Sequence, residues 1–279
     1  MIIPKKSLGQ NFLRDENVAR NIVEALSPRK DDLLLEIGAG TGSLTNHLIG
    51  RSDHFLVVEI DSRAVEALRE RFGKTLEILQ QDVLELDPRL LSGKYGKRVR
   101  VAGNIPYYIT SDILFWLVDN RASFEDAVLM MQADVARRLV ARNRTKDYGI
   151  LSVVTQCYTE PEILFRVSRN SFYPVPNVDS AVVRLRIRQS VPEHDEKLFR
   201  SVVRGTFGKR RKTLYNGLRF MGFTAEDLGS IGLDLKRRPE ELKVEDFLDL
   251  TRKLNDQASA KTVPQRTPRK KHPDSKHPD

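Results

Sequence analysis

Residues 33–42 read Leu-Leu-Leu-Glu-Ile-Gly-Ala-Gly-Thr-Gly. The first five residues, four of them apolar, are typical of a short strand that is buried on both faces. The strand runs directly into three glycines at alternate positions, and helical spacing resumes over residues 43–49. A buried strand, a tight glycine turn and a helix make up the opening unit of a doubly wound sheet, so this stretch predicts an α/β fold.

The rest of the first 189 residues continues this alternation of strands and helices. Apolar runs predict the strands, and stretches of helical spacing separate them. The predicted strands are 55–60, 76–79, 99–102, 127–131, 163–167 and 181–187, and the predicted helices are 15–26, 61–72, 111–118, 133–142 and 149–158. We therefore predict a Rossmann-like, mainly parallel sheet with its helices over residues 1–189.

Three segments differ from the sheet region in composition. Residues 1–14, rich in Lys, Gly, Gln and Asn, predict an arm ahead of the first helix. Residues 190–255 show helical spacing with glycines between short helices, which predicts a small all-helical domain. Residues 256–279 lack periodicity and hold six Lys/Arg against three Asp, so they predict a disordered basic tail.

Residues capable of binding a ligand follow successive predicted strands. They are the glycine turn 38–42, Glu59, Asp82 and Asn104. Parallel strands end at one edge of the sheet, and such sheets bind ligands beyond that edge. We therefore expect these residues to border a single site.

The glycine turn differs in spacing from a dinucleotide-binding turn. Gly38, Gly40 and Gly42 stand at i, i+2 and i+4, whereas a dinucleotide fingerprint needs its third glycine at i+5, which is Ser43 here. A tight turn without a phosphate cradle suits S-adenosylmethionine, whose methionine end passes close to bare backbone. An ordinary strand-to-helix turn is the alternative interpretation.

Two acids are candidates for binding the rest of that cofactor. Glu59 lies 21 residues after Gly38, the distance at which an acid in nucleotide-binding sheets reaches the ribose hydroxyls. Asp82 is able to accept a hydrogen bond from an adenine amine. Asp82 also fits a helix N-cap, a position that Asp favours.

The segment Asn104-Ile105-Pro106-Tyr107 suits the task of holding a flat base by its exocyclic amine during methyl transfer. The amide oxygen of Asn104 and a neighbouring backbone carbonyl are able to accept both amine hydrogens. The ring of Tyr107 is able to stack on the base. An ordinary turn with Asn and Pro after a strand is the alternative, because such turns are common.

A second aromatic segment, Phe172-Tyr-Pro-Val-Pro-Asn-Val-Asp-Ser180, precedes the last predicted strand. Its two prolines stiffen the loop, so that either Phe172 or Tyr173 is able to complete a slot around a flipped base. A Pro-rich connector with buried aromatic residues is the alternative.

Composition limits the class of protein. Its 279 residues, 40% of them hydrophobic, are enough for one large domain and a small one. One cysteine excludes a disulfide framework, and the five histidines show no metal-ligand spacing, so we expect no metal. The first residues do not resemble a signal peptide and no apolar run is long enough to span a membrane, so we expect a cytoplasmic protein. We also expect a monomer.

The net charge of +9 is unevenly distributed and indicates a polyanionic partner. Residues 200–219 hold seven Lys/Arg and no acid, with Arg210, Arg211 and Lys212 in succession. Residues 137–146 hold five and no acid, beginning with Arg137 and Arg138. Both runs predict contacts with RNA phosphates, and solvated helix faces are the alternative.

Five motifs, in this order, resemble those of one family, the KsgA-type (RsmA-type) small-subunit rRNA adenine dimethyltransferases of bacteria. The motifs are Lys6–Leu13, Glu36–Gly42, Asn104–Tyr107, Phe172–Ser180 and Arg210–Asn216, and the resemblance covers about residues 5–255. One departure is Asn177, where the family usually has Lys. This difference removes one possible RNA contact and leaves the predicted base slot intact.

The resemblance implies transfer of four methyl groups from S-adenosylmethionine to the amines of two adjacent adenines. These adenines lie in the 3′-terminal hairpin loop of 16S rRNA, within an assembling small subunit late in its biogenesis. By matching motif, the resemblance implies cofactor contacts by Asn11, Leu13, Gly38, Gly40, Glu59, Asp82 and Asn104. It implies that the target adenine is bound and oriented by Asn104, Ile105, Pro106, Tyr107 and Phe172.

Other functions remain possible at this point. A large-subunit rRNA methylase of the antibiotic-resistance type shares the tetrad, although the segment 210–216 favours the small subunit. DNA adenine methylases usually carry Asp/Asn-Pro-Pro-Tyr, and this chain has Ile105 at the second position. A non-catalytic assembly factor would use the fold only to bind pre-ribosomes, and the intact glycine turn and tetrad favour an active enzyme.

Overall fold

A seven-stranded mixed sheet forms the centre of the computed structural model, which describes residues 2–5, 8–209, 211–229 and 231–262. Its strands are β2 Leu33–Ile37, β3 His54–Glu59, β4 Glu77–Gln80, β5 Val99–Asn104, β6 Phe124–Gln132, β7 Thr159–Val167 and β9 Ser180–Ile187. Their order is β4-β3-β2-β5-β6-β9-β7. The first five pair in parallel, and β9 and β7 run antiparallel to their neighbours. The predicted Rossmann-like sheet is confirmed.

A separate two-stranded ribbon joins the N-terminal arm to the Pro-rich loop. Its strands are β1 Phe12–Leu13 and β8 Phe172–Tyr173, which pair antiparallel. The ribbon therefore links two segments that lie far apart in the sequence.

Helices surround the sheet and form the C-terminal region. They are α1 Glu16–Leu26, α2 Thr45–Leu48, α3 Ser62–Phe72, α4 Pro88–Tyr95, α5 Thr110–Asp119, α6 Ala133–Leu139, α7 Ile150–Tyr158, α8 Glu196–Phe207, α9 Leu214–Phe220, α10 Ala225–Gly229 and α11 Val244–Thr262. Asp15, Asp61 and Asp195 begin α1, α3 and α8, and each carboxylate accepts a hydrogen bond from a backbone N–H of the first turn.

Both faces of the sheet are buried, because alternate residues of a strand point to opposite sides. In β2, Leu33 and Leu35 belong to the cluster packed against α4 to α6, whereas Leu34 belongs to the cluster packed against α1 to α3. The apolar character of four of the five residues 33–37 follows from this burial on both sides.

A buried arginine fixes the edge of the sheet where the parallel strands begin. Arg100 of β5 binds both carboxylate oxygens of Asp126, at 2.7 and 2.8 Å, and Oδ2 of Asp32, at 2.7 Å. It also donates to the carbonyl of Leu26, at the end of α1. These contacts satisfy the guanidinium and attach α1 to the sheet.

The C-terminal helices share one hydrophobic core with the sheet domain. This cluster includes Phe199, Val202 and Phe247 from α8 and α11, and Tyr148 and Tyr158 from the region of α7. The chain leaves the sheet after Ile187, close to the predicted boundary at 190, but the packing continues across that boundary.

Several predicted segments differ in length from the observed ones, among them β6 and β7, which begin three and four residues before their predicted starts. Only residues 45–48 of the predicted helix 43–49 are α-helical, and the helix predicted over 133–142 ends at Leu139, which leaves Arg142 in a loop. Helix α11 continues to Thr262, seven residues into the segment predicted to be a disordered tail. Gln, Ala and Lys in that segment favour helix, and the first proline comes only at Pro264. Residues 263–279 of the predicted tail lie outside the described residues.

Candidate active site

A cavity opens at the edge where the parallel strands end. Every residue predicted to contact the cofactor, and the whole segment from Asn104 to Tyr107, lines it. The predicted residues that the structure places there are Asn11, Leu13, Gly38, Gly40, Glu59, Asp82, Asn104, Ile105, Pro106 and Tyr107. The expectation that successive strand ends border one site therefore describes the geometry correctly.

The glycine turn and Glu59 hold each other in place. Gly40 has a φ of 54°, a conformation that favours glycine, and a Cβ there would lie 3.0 Å from the ring of Phe12. The N–H of Gly40 donates to Oε2 of Glu59 at 2.9 Å, and the N–H of Asp61 donates to Oε1 at 2.9 Å. The carboxylate is thus oriented by backbone on both sides while it borders the cavity.

Glu36 is a second carboxyl group at the cavity and is 1% exposed. Burial, opposed by a hydrogen bond from Thr45 and reinforced by the charge of Glu59, raises its pKa to about 8. Thr45 Oγ1 donates to Oε2 of Glu36 at 2.7 Å. Among the described residues no ion pair joins Glu36 to a cation.

Asp82 is a helix cap, one of the two interpretations of its sequence position, and it also lies at the cavity. Its Oδ1 accepts from the N–H of Leu84 at 2.9 Å and caps a single turn of 3-10 helix, Val83–Glu85. The residue also lines the cavity. The cap therefore fixes the carboxylate at the rim of the site.

The N-terminal arm lies over the cavity and forms part of its wall. Leu8, Gly9, Gln10 and Phe12 line the cavity together with the predicted Asn11 and Leu13. A Cβ at Gly9, whose φ is 56°, would lie 2.8 Å from the ring of Tyr108, so the arm closely approaches the segment that follows Tyr107.

The arm is attached at Asp61, the cap of α3. Gln10 Nε2 donates to Oδ2 of Asp61 at 2.9 Å, and Lys5 Nζ lies 3.8 Å from Oδ1. Arg63 binds the same carboxylate and donates to the carbonyl of Ile3 at 3.0 Å. The hydrogen bonds from Arg63 and, after it, from Gln10 lower the pKa of Asp61 to about 2.

The amide of Asn104 is oriented by the arm. Its Nδ2 donates to the carbonyl of Asn11 at 3.0 Å. Only the NH₂ group of an amide is able to donate to a carbonyl, so this bond determines which way the amide points. The amide oxygen is left to accept a hydrogen bond from a ligand.

The ring of Tyr107 is fixed through its hydroxyl group. The hydroxyl lies 2.7 Å from Oγ of buried Ser180, the last residue of the Pro-rich segment. Burial, with the nearby charge of Asp179, raises the pKa of Tyr107. Tyr107 is therefore a neutral, oriented aromatic wall of the cavity.

The two candidate rings of the Pro-rich segment have different surroundings. Phe172 is 2% exposed and packs in the hydrophobic cluster that contains Leu13, and it does not line the described cavity. Tyr173 is 46% exposed. The ribbon causes this difference, since neighbouring residues of a strand point to opposite faces.

The predicted RNA-binding residues also differ in their surroundings. Arg137 lies 3.8 Å from Asp147, and Arg138 lies 3.2 Å from Asp134, so acids just outside the run 137–146 pair with both. Arg211 and Lys212 are exposed, and among the described residues no ion pair involves them. Arg210 lies outside the described residues.

Sequence reasoning gave no role to several residues of the cavity. The clearest are Glu36, the half-exposed Ile60 after Glu59, and the arm residue Phe12. An acid inside the apolar run 33–37 was the available signal for Glu36. No pattern in the neighbouring sequence predicts that Phe12 lines the cavity, because its position depends on pairing with a distant loop.

The described part of the chain contains no group of three or more His, Cys, Asp or Glu residues that could hold a metal ion, and no helix that is long and apolar enough to cross a membrane. Cys157 is buried, which raises its pKa to about 12 and keeps the thiol protonated.

Comparison with known proteins gives consistent matches along the sequence. Residues 3–256 match the family described as ribosomal RNA adenine dimethylase. A protein of Chlorobium phaeobacteroides (strain BS1), named ribosomal RNA small subunit methyltransferase A, is 43% identical over 254 residues, which cover 91% of this chain and 94% of the relative. A protein of the same name from Moorella thermoacetica is 41% identical over 268 residues, which cover 91% and 93%.

Solved structures also match most of this chain. A dimethyladenosine transferase from Plasmodium falciparum superposes with a TM-score of 0.77 at 26% identity, covering 88% of this chain and 98% of that one. The 23S rRNA methyltransferase ErmE superposes with a TM-score of 0.66 at 30% identity, covering 88% and 100%.

Proposed function

The chain belongs to the ribosomal RNA adenine dimethylase family, and we propose that it methylates two adjacent adenines in the 3′-terminal hairpin loop of 16S rRNA. It is an S-adenosylmethionine-dependent enzyme that dimethylates adenines of small-subunit ribosomal RNA. We propose the assembling small subunit as its substrate, a monomer as its working form and the cytoplasm as its location.

The cavity suits S-adenosylmethionine in the chemistry of its lining. That molecule supplies an electrophilic methyl group on a positively charged sulfur. Glu59 presents an oriented carboxylate for the ribose hydroxyls, and Asp82 an acceptor for the adenine amine. Glu36, a buried carboxyl group without a cationic partner in the described structure, suits the ammonium of the methionine end. Gly38, Gly40, Asn11 and Leu13 supply close backbone approach.

The target adenine is held by the segment from Asn104 to Tyr107. The amide oxygen of Asn104 and the carbonyl of Ile105 accept the two amine hydrogens, which directs the nitrogen lone pair at the methyl group. Pro106 stiffens the turn, and Tyr107 stacks on the ring. Phe172 supports the slot from the core side, behind Leu13.

Catalysis then consists mainly of positioning, which is able to supply several kcal/mol of the barrier. The adenine amine is a poor nucleophile, but the methyl group that it attacks is already electrophilic. The amine is able to lose its proton after transfer, so the raised pKa of Tyr107 is no obstacle. The slot also has to accept an amine that already carries one methyl group.

The bond from Asn104 Nδ2 to the carbonyl of Asn11 carries this proposal. It leaves the amide oxygen as the acceptor that an adenine amine requires. Asn11 lies 93 residues before Asn104 in the sequence. An ordinary turn after a strand does not require such a distant segment to orient its Asn side chain.

The decisive experiment is methyl transfer to defined ribosomal particles. The protein is incubated with labelled S-adenosylmethionine and either small or large subunits that lack adenine dimethylation, and the modified bases are mapped. We expect label on two adjacent adenines of the small subunit. Label on the large subunit alone would instead favour the activity named for ErmE.

A variant separates catalysis from binding in the same assay. Asn104→Ala is expected to reduce single-turnover transfer strongly at saturating cofactor, while subunit affinity, supplied mainly by phosphate contacts, changes little. Transfer near the wild-type rate would show that Asn104 does not orient the amine.

A further inference from the structure

The ribbon places an exposed aromatic ring beside the cavity. Phe12 pairs with Tyr173, and Leu13 pairs with Phe172. Directly opposed residues of an antiparallel pair share a face. Leu13 and Phe172 are buried in the core, so Phe12 and Tyr173 occupy the other face. Phe12 lines the cavity, and Tyr173, which pairs with it on the same face, therefore lies beside the cavity although it is not part of the lining.

A guanidinium group is stacked on this ring. Arg14 Cζ lies 4.1 Å from the centroid of Tyr173, at the distance of a cation–π contact. The backbone holds the pair in register, because the N–H of Arg14 donates to the carbonyl of Ser171 at 2.8 Å. Among the described residues no acid forms an ion pair with Arg14, so its charge is available to a ligand.

We propose that Tyr173 and Arg14 form a second base platform, which stacks the nucleotide next to the target adenine. This inference rests on the proposed function. When one adenine enters the slot, its neighbour in the strand loses a stacking partner, and an exposed ring at the rim replaces it. Arg14 supplies positive charge for the adjoining phosphate. Because the strand has a direction, the platform holds the other target adenine during one of the two methylations and the outer flanking nucleotide during the other.

The exposed side chains of this rim suit RNA. Tyr108, at 57% exposed, and Val175, at 55% exposed, also lie in the segments that form the rim. The exposed rings of Tyr108 and Tyr173, together with the uncompensated cation of Arg14, suit successive bases and phosphates.

The test uses the full-length protein, small subunits that lack adenine dimethylation, and labelled S-adenosylmethionine. Tyr173→Ala is expected to weaken subunit binding and raise KM by roughly tenfold to a hundredfold, as for loss of one stacked base. Tyr173→Phe keeps the ring and is expected to match the wild type. Cofactor affinity is expected to be unchanged in both variants, which also shows that they fold.

Tyr95→Ala is the matched control, since Lys94 lies over that ring at 4.8 Å, at the end of α4 and far from the site. It is expected to leave KM unchanged. Two further substrates each carry an abasic nucleotide in place of one of the target adenines. On the substrate that lacks the stacked neighbour, the wild type is expected to bind as weakly as Tyr173→Ala, and the variant to lose little more.

The outcomes distinguish the inference from the function on which it rests. If the wild type methylates the two adenines and Tyr173→Ala does so with unchanged KM, the platform is wrong and the function stands. An equal loss for Tyr173→Ala on the intact and both abasic substrates would mean that the ring contacts something other than the neighbouring base, which also overturns the inference. Failure of the wild type to methylate small subunits would overturn both.

Discussion

Single polar side chains at this site have their orientation or charge set by one neighbour. The carbonyl of Asn11 orients the amide of Asn104, and Ser180 fixes the hydroxyl of Tyr107. Glu36 differs from them, because it is buried beside Glu59 without a cation. Its carboxyl group is therefore protonated at neutral pH in the free protein, which has consequences for stability.

Glu36→Gln is expected to reduce the pH dependence of folding. The native pKa of about 8 lies above the ordinary value of 4.5. The protonated carboxyl group of Glu36 therefore makes its full contribution to the free energy of unfolding below about pH 4.5. That contribution declines as Glu36 ionises in the unfolded chain, and it is lost as the pH rises through about 8. The free energy of unfolding of the wild type should fall with pH more steeply than that of Glu36→Gln, by up to about 1.4 kcal/mol per pH unit.

Urea unfolding of both proteins without cofactor, at pH 5, 6, 7 and 8, measures this difference. Glutamine is always neutral and is still able to accept the hydrogen bond from Thr45, so the comparison isolates ionisation. Parallel pH profiles for the two proteins would mean that Glu36 is charged in the native state.

At the scale of elements, the arm is the part that the sequence described least. The ends of β2, β3 and β5 were predictable, because apolar runs stop at Gly38, at Glu59 and near Asn104. The closure of the arm over these ends was not, since it depends on contacts with Asp61 and on pairing with Phe172–Tyr173. Local patterns carry no information about such distant partners.

Asp61→Asn is expected to loosen the arm while leaving α3 intact. Asn caps helices about as well as Asp, so the bond to the N–H of Arg63 is retained. The ion pairs with Lys5 and Arg63 are removed. Amide hydrogen exchange of residues 8–14 should become faster, and S-adenosylmethionine should dissociate faster because the arm forms one wall of the cavity proposed to bind it.

Asp87→Asn is the control for this prediction. Asp87 also caps a helix, accepts from the N–H of Arg89 and pairs with its side chain, but it lies away from the arm. It should leave both exchange and cofactor dissociation unchanged. Equal behaviour of the two variants would show that the Asp61 contacts do not hold the arm closed.

At the scale of the whole molecule, the basic charge divides into compensated and open regions. Acids just outside residues 137–146 pair with Arg137 and Arg138. In contrast, Arg211 and Lys212, between α8 and α9, are exposed and form no ion pair in the described structure. Both basic segments, 137–146 and 200–219, were found by counting charges in the sequence. The count could not show that the first segment is paired with acids, because Asp134 and Asp147 lie just outside it.

Replacing Arg210, Arg211 and Lys212 together with Ala is expected to weaken binding to small subunits and to leave cofactor affinity intact. The slope of log affinity against log salt should flatten by roughly 0.7–0.9 for each RNA phosphate that the protein no longer neutralises. Filter binding over a range of salt concentrations measures it. The role of Arg210 in this prediction comes from the sequence alone.

A second triple variant, Lys30→Ala, Lys94→Ala and Lys97→Ala, removes the same net charge from residues that pair with acids. It should change the salt slope much less. If the variant of Arg210, Arg211 and Lys212 kept the wild-type affinity for small subunits and the wild-type salt slope, the prediction would be wrong. We would then expect Arg137, Arg138 and Arg142 to contact the RNA instead.

The hydrophobic core that the C-terminal helices share with the sheet domain also determines when this protein is able to finish folding during synthesis. Val118, Tyr148 and Tyr158 are made before the sheet is complete, yet they are buried in a cluster whose last residue is Leu254 of α11. At a translation rate of roughly 5–20 residues per second, the apolar face of α7 stays exposed for several seconds after β9 has been synthesised, until the later helices are made. A nascent chain that stops before α11 keeps that apolar face exposed to chaperones and to other unfinished chains.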